Sequence, residues 1–319
     1  MKQGLLYENA KIKSRESSLF GKDKMQRLVD APTVEEGIKI LLEGGYPAGK
    51  DYLEILSAAE REAEAGLISS AVPGHGLECF SVISDYHNAK VIAKELYFGA
   101  SAGLFKADGS IAPAELSERI KKDDLSSLPV FMHRAFEEFK KKSATGSLLP
   151  SYIDKSLDRA AFEDISQRLK TAHPVVKTYF ETYADLTNIE TAYRSLKAGL
   201  TSSAAEEGYL PCGKIPFSDL NKLFDVGFDE GAIKVISDPV YKKAAEALKE
   251  GVEIFETYRD NALLSPLKKA KYDMFSPAPI VGFYLGKMRE IKNVRLIFAA
   301  VKNGVDKETL KVRLREMYV

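Results

Sequence analysis

Cysteine is nearly absent: the 319-residue chain holds two, Cys79 and Cys212, which stand 133 positions apart. That excludes a disulfide framework and any CxxC metal or redox motif, and it leaves free, reduced thiols as the expectation. Long apolar runs are missing too, none approaching the roughly 18 residues that a membrane span requires. The opening Met1-Lys2-Gln3-Gly4 leads into an amphipathic segment, not into a basic-then-apolar secretory signal. A protein of the cytoplasmic side, or one peripheral to a membrane that it does not cross, is expected. Net charge is also absent, with 46 basic side chains against 46 acidic ones and no basic arm or acidic tail. Such a chain lacks the field that grips nucleic acid, so no nucleic-acid partner is expected.

The motifs of catalysis are missing in the same way. There is no GxxxxGK[ST] phosphate loop, and Gly74-His75-Gly76 lacks both a preceding strand and a third Gly, so it reads as a turn. No GxSxG elbow occurs, and neither cysteine has the Gly-rich setting of a nucleophile. Among only four histidines, His133 and Glu137 have the i, i+4 spacing that could seat a metal, although a solvated helix pair is the commoner outcome. Asp123-Asp124 and Glu137-Glu138 read as solvated faces. The run Lys140-Lys141-Lys142 offers lipid headgroups only about 1 kcal/mol per charge. No catalytic, cofactor-binding or metal-binding residue is therefore assigned, and no cofactor is expected.

What the chain does contain is a repeat. The stretch EIKNVRLIFAAVKNG, Glu290 to Gly304, reads as a helix with an Asn in its interior, where that residue is a weak helix former. Three further copies run from Tyr7 to Gly21, Ser84 to Gly99 and Ala184 to Gly199. The Asn residues are Asn9, Asn88, Asn188 and Asn293, each followed by a Gly 11 or 12 positions later. An acid stands three before the Asn in the last three copies (Asp85, Asp185, Glu290), and a long charged residue stands two after it in all four (Lys11, Lys90, Glu190, Arg295). Residues three apart share a helix face, so the acid is placed to reach the Asn, and the closing Gly suits a C-cap with positive φ. Two roles fit the Asn: pinning its helix to a neighbouring turn, or recognising a partner.

A second echo follows the Gly. Lys106 to Leu116 (KADGSIAPAEL) and Leu210 to Leu220 (LPCGKIPFSDL) share a Gly, an Ile and a later acid-Leu pair, and read as a turn that launches a helix. Elsewhere Thr33-Val-Glu-Glu36 is a capping box, Asp51 to Leu67 has helical apolar spacing, and long helices are predicted from about Leu77, Pro174 and Pro279. Strand signals are scarce. The Asn spacings of 79, 100 and 105 positions enclose three similar lengths, giving an all-α chain of three related helical domains, 1–100, 101–200 and 201–319.

The run from Pro279 to Glu316 resembles the most diagnostic block of the central-stalk family of V-type and A-type ATPases, whose members are the C subunits of archaeal and bacterial rotary ATPases and the d subunits of eukaryotic ones. Pro279, Tyr284-Leu285, Glu290, Asn293, Val294 and Arg295 carry the likeness, which extends over the whole chain and includes YLPCGKIPFSDL. Ala300-Val301 departs from a frequent Gly-Lys, and Gly282 and Gly286 are expected to loosen the long helix. The resemblance implies a funnel of three pseudo-threefold-related helical domains that catalyses nothing itself. It implies that one rim sits on the cytoplasmic face of the membrane proteolipid ring while the cavity receives the tip of a rotor shaft made of the D and F subunits. Torque would cross that joint, and close-packed helices would supply the stiffness. The alternatives are a helical scaffold or adaptor of unrelated function, whose repeats usually run about 34 to 47 residues, and a helical enzyme with an unrecognised site.

Overall fold

A computed structural model describes residues 2–99, 105–106 and 109–319. The described residues form α-helices and two short 3₁₀ turns, with no strand among them. Ala107 and Asp108 of the KADGSI echo lie outside them.

In chain order the helices are α1 (Lys2–Arg15), α2 (Lys22–Asp30), α3 (Val34–Glu43), α4 (Tyr52–Ser69), α5 (Glu78–Phe98), α6 (Pro113–Lys121), α7 (Val130–Ala144) and α8 (Pro150–Arg168). There follow α9 (Pro174–Lys197), α10 (Ser202–Glu206), α11 (Phe217–Val226), α12 (Phe228–Val235), α13 (Pro239–Glu250), α14 (Val252–Lys269), α15 (Ala278–Asn303) and α16 (Lys307–Arg313). Two compact units result: Met1–His75 folds together with Glu250–Val319, and Gly76–Lys249 forms the other.

Local chemistry sets the helix ends. Thr33 caps α3 by accepting from Glu36 N, and Asp51 caps α4 by accepting from Glu54 N. Pro150 and Pro174 open α8 and α9, where a missing N–H leaves no bond unmade. The three long helices predicted from the repeat are α5, α9 and α15, the last spanning 26 residues or about 39 Å. Gly99 and Gly304 cap α5 and α15 at φ 67° and 65°, and Gly199 lies just past α9 at φ 66°. Gly21 departs from the expected pattern. Helix α1 stops at Arg15, and Gly21 is the N-cap of α2 at φ −84°, because the preceding backbone is held extended by Glu290 of α15.

In the terminal unit α15 is wrapped by α1, α2, α3, α4 and α14. Its Ile291, Val294, Ile297 and Phe298 join Phe20, Leu28, Leu41, Ile55 and Leu56 in one buried cluster. Phe298 meets Tyr52 edge-on at 5.1 Å, and Phe20 meets Tyr46 at 5.4 Å. In the middle unit α5 and α7 pack on α8. There Phe80 and Phe180 stand 4.9 Å apart, and Phe162 stacks on Tyr183 at 5.6 Å.

Gly37 of α3 lets the Phe298 ring in: a Cβ there would lie 2.3 Å from Phe298 Cε1. Substituting Gly37→Ala therefore overpacks this core and is expected to destabilise the terminal unit by about 1–3 kcal/mol. Denaturant unfolding followed by hydrogen exchange on α3 and α15 checks this.

Candidate functional site: a clasp repeated on three long helices

The four repeated asparagines are all buried. On α5, Asn88 Nδ2 donates to Lys106 O at 2.9 Å while Lys106 N donates to Asn88 Oδ1 at 2.8 Å. On α9, Asn188 makes the same pair with Leu210, at 2.9 and 2.8 Å. On α15, Asn293 makes it with Arg315, both bonds being 2.9 Å. A side-chain amide carries a donor and an acceptor in one plane, as a peptide does, and so it satisfies both backbone groups of one extended residue. No other side chain of this length presents that pair, since an aspartate has no donor and a leucine has neither group.

Asn9 differs. Its Nδ2 donates to Met274 O at 2.8 Å and Ser276 O at 2.9 Å, and its Oδ1 has no hydrogen-bond partner among the described residues. It ties α1 to the segment that leads into α15, and it grips carbonyls only.

The acid three positions earlier holds the chain that follows. Asp85 accepts from Ile111 N at 3.0 Å and Ser110 Oγ at 2.5 Å. Asp185 accepts from Lys214 N and Ile215 N, each at 2.9 Å, and from Tyr241 OH at 2.7 Å. Glu290 accepts from Phe20 N, Tyr46 OH and Lys287 Nζ, each at 2.6 Å. The carboxylate thus goes to the segment opening the next short helix: α6 after Ile111, α11 after Ile215 and α2 after Phe20. This corrects the spacing argument, which aims the acid at the Asn. On α5 and α9 one loop supplies both gripped residues, whereas on α15 Arg315 comes from the end of the chain and Phe20 from near its start. Burial also explains the glycine in each echoed loop, for a Cβ on Gly109 would lie 2.4 Å from Asp85 Oδ1 and one on Gly213 2.2 Å from Asp185 Oδ1. Sequence spacing finds these glycines as turn residues, without the carboxylate that requires them.

The charged residue after the Asn behaves less uniformly. Lys90 reaches Asp158 of α8 at 2.5 Å and Arg295 reaches Glu60 of α4 at 2.8 Å, each bridging to a neighbouring helix. Glu190 pairs with Arg194 of its own helix at 2.7 Å, and Lys11 with Glu8 at 3.3 Å. The Arg295 pair is partly solvated, so it contributes at most about 1 kcal/mol.

Three residues that no motif singled out complete the α15 clasp. Asp260 of α14 accepts from Arg315 Nε at 2.9 Å and from Lys292 Nζ at 3.2 Å. Burial alone would push its carboxyl up, but Lys292, Arg315 and Arg289 outweigh burial and hold it below the ordinary aspartate value. Asn261 Oδ1 accepts from Glu316 N at 3.0 Å. Tyr318, 2% exposed, lies against Gly282 and Gly286, where added Cβ atoms would come within 2.7 and 2.6 Å of it. These glycines form a seat for an aromatic ring, which is a packing reason for residues expected to loosen the helix.

Elsewhere the chemistry is quiet. Burial pushes the Cys79 and Cys212 thiols up to about 12, leaving them protonated and poorly nucleophilic. No group of three metal-capable side chains occurs among the described residues, and Glu137 is engaged by Lys140 at 3.0 Å. No helix of the described residues is long and apolar enough to cross a membrane.

Replacing Asn188 by Ala strips two bonds at once and leaves the Leu210 N–H and C=O without their partner. The expected loss is roughly 2–4 kcal/mol in denaturant unfolding. A pH effect follows from Asp185. Burial raises its pKa, the bonds from Ile215, Tyr241 and Lys214 only partly opposing it. A raised folded value means stability that is full below the unfolded pKa and is lost as pH climbs through the folded one. The stability of the wild-type chain minus that of Asp185→Asn is therefore expected to fall as pH rises from the ordinary value of 3.8, measured by urea unfolding across mildly acidic buffers.

The sequence profile of the family described as ATP synthase (C/AC39) subunit matches residues 9–313. The chain is similar along nearly its whole length to the C subunit of the V-type sodium ATPase of Enterococcus hirae, with 23% identity over 97% of this chain and 98% of that protein. It is similar to the C subunit of the A-type ATP synthase of Methanocaldococcus jannaschii at 22% identity, over 96% of this chain and 84% of the relative. For that of Halobacterium salinarum the figures are 22%, 97% and 96%.

Proposed function

The chain belongs to the ATP synthase (C/AC39) subunit family, and from that premise we propose that it is the central-stalk C subunit of a V-type or A-type rotary ATPase. In this reading it joins the D–F rotor shaft to the proteolipid ring at the cytoplasmic face of the membrane. It transmits torque between them, and the ATP chemistry belongs to other parts of the complex. The observation that carries the reading is the match along nearly the whole chain, from residue 9 to residue 313. The clasps support it physically.

A coupling part must resist twisting, and each clasp ties the middle of a long helix to non-helical backbone through a buried asparagine, the bonds being fully buried on α9 and partly buried on α5 and α15. The bonds are directional, so sliding a helix along its axis by even one residue, about 1.5 Å, breaks both at once. The repetition of the clasp on α5, α9 and α15 is the basis for proposing three related helical domains, 1–100, 101–200 and 201–319, in a funnel. Shaft contacts are placed on inner helices of that funnel and ring contacts on one rim.

Affinity-tagged chain, expressed in its own cell with the rest of the rotary complex, is expected to bring down the D and F subunits and the ring. Recovery of the chain alone, or with an unrelated assembly, would replace this reading with that of a helical scaffold. Single substitutions on the outer surface are expected to leave recovery unchanged, because binding energy concentrates in few residues.

A further inference from the structure

The first copy of the repeat grips no loop N–H; it holds out a loop instead. Asn9 donates to Met274 O at 2.8 Å and to Ser276 O at 2.9 Å, so the carbonyls on either side of Phe275 are turned in toward α1. The Phe275 ring between them is 65% exposed, and Tyr272, three positions earlier, is 74% exposed. The turn is also held by its own bonds, Asp273 Oδ1 accepting from Phe275 N at 3.1 Å and Asp273 O from Ser276 N at 3.3 Å. Leu6, which stands where the other copies carry an acid, is 40% exposed. It lies seven positions before Lys13 and so shares its side of α1, and Lys13 Nζ is 4.5 Å from the centre of the Tyr272 ring.

The charge around these apolar groups is basic. Lys268 and Lys269 end α14, and Lys271 follows directly before Tyr272. Lys268 reaches Glu316 at 3.5 Å, and Lys13 reaches Glu16 at 2.7 Å. Lys269 and Lys271 pair with no carboxylate among the described residues, and Lys271 Nζ stands 5.1 Å from the Tyr272 ring. The loop's single acid, Asp273, is turned back onto its own backbone. The run Lys140-Lys141-Lys142 is a contrast, since Lys140 is paired with Asp123 and Glu137 and the neighbouring Phe139 is buried.

We propose that Leu6, Tyr272 and Phe275, together with Lys269 and Lys271, form a docking surface for an anionic lipid bilayer. The chemistry matches in layers. Such a bilayer presents phosphates outermost and an acyl boundary beneath them, so it takes ammonium groups at the headgroups and Tyr or Phe rings between them. Two rings, a leucine and two ammoniums on long flexible stems suit a fluid surface, which reshapes around them. With 46 basic and 46 acidic side chains, the whole chain has no net attraction for an anionic surface, so the affinity comes from this patch. The exposed aromatics make the contact more than electrostatic, because they remove apolar area from water when they enter the boundary. The assignment rests on these residues and not on the family role proposed above.

Co-sedimentation of the full chain with vesicles of phosphatidylcholine and phosphatidylglycerol, against vesicles of phosphatidylcholine alone, tests this. Binding is expected to favour the anionic vesicles and to weaken as salt rises. The double variants Tyr272→Ser with Phe275→Ser, and Lys269→Gln with Lys271→Gln, are each expected to lower the partition coefficient roughly tenfold. Two controls are expected to leave it unchanged: Lys141→Gln with Lys302→Gln, which removes the same charge elsewhere, and Tyr7→Ser, an exposed aromatic on the side of α1 away from Asn9. The chain has no Trp, so Phe275→Trp supplies a single reporter whose emission is expected to move to shorter wavelength on the anionic vesicles. Equal binding to both kinds of vesicle, or an equal loss in the controls, overturns the proposal. So does the absence of binding to either, which assigns the surface to a protein partner.

Discussion

A buried primary amide paired with one peptide group is the constraint on which the rest depends. Asn88, Asn188 and Asn293 sit in the interior of long helices, where their type weakens the helix, and where their polarity would be costly if unpaired. Each offsets that cost by bonding both backbone groups of one non-helical residue, buried at Leu210 and part-buried at Lys106 and Arg315. Because both bonds form or fail together, the register of helix against loop is fixed. On α5 and α9 what that register places follows: the acid one turn earlier, the glycine facing the acid, and the start of the next short helix.

The carboxylates add direction to this. Asp85, Asp185 and Glu290 are buried acids that accept backbone N–H groups at the point where the chain turns from extended to helical. On α5 and α9 the shorter aspartate suffices, because the glycine lets the loop approach to contact. On α15 the acid is a glutamate, one methylene longer, and it also collects Tyr46 and Lys287. The terminal unit thereby rebuilds, from Phe20 and Arg315 at the two ends of the sequence, what one loop does in the middle unit. Such joints stiffen the packing, since directional bonds add to what close packing supplies.

Asn9 shows how far a shared motif can mislead. It has the Asn, the charged residue two later and a Gly at nearly the right distance, yet it grips only carbonyls, and Gly21 caps the start of α2 instead of the end of α1. The missing acid at Leu6 and the one-residue-longer step to Gly21 are the local signs that this copy has a different job. Without an acid there, no N–H of a following loop is held. The segment before Gly21 is instead pulled straight by Glu290, 270 positions away.

The sequence by itself determined the all-helical class and many of the helix ends. Caps such as Thr33 and Asp51, prolines at Pro150 and Pro174, and the left-handed glycines Gly99 and Gly304 act through bonds to residues a few positions away. It also determined that Asn and acid recur together, because the repeat preserved their spacing. Only the tertiary structure decided what those side chains hold, why Gly109 and Gly213 have no side chain, and that Gly282 and Gly286 seat Tyr318. The physical reason is the reach of the interactions. Periodicity encodes which face of a helix a residue occupies, while the partner of a buried amide or carboxylate is whichever backbone the packed chain delivers to it, from 18 to 270 positions away.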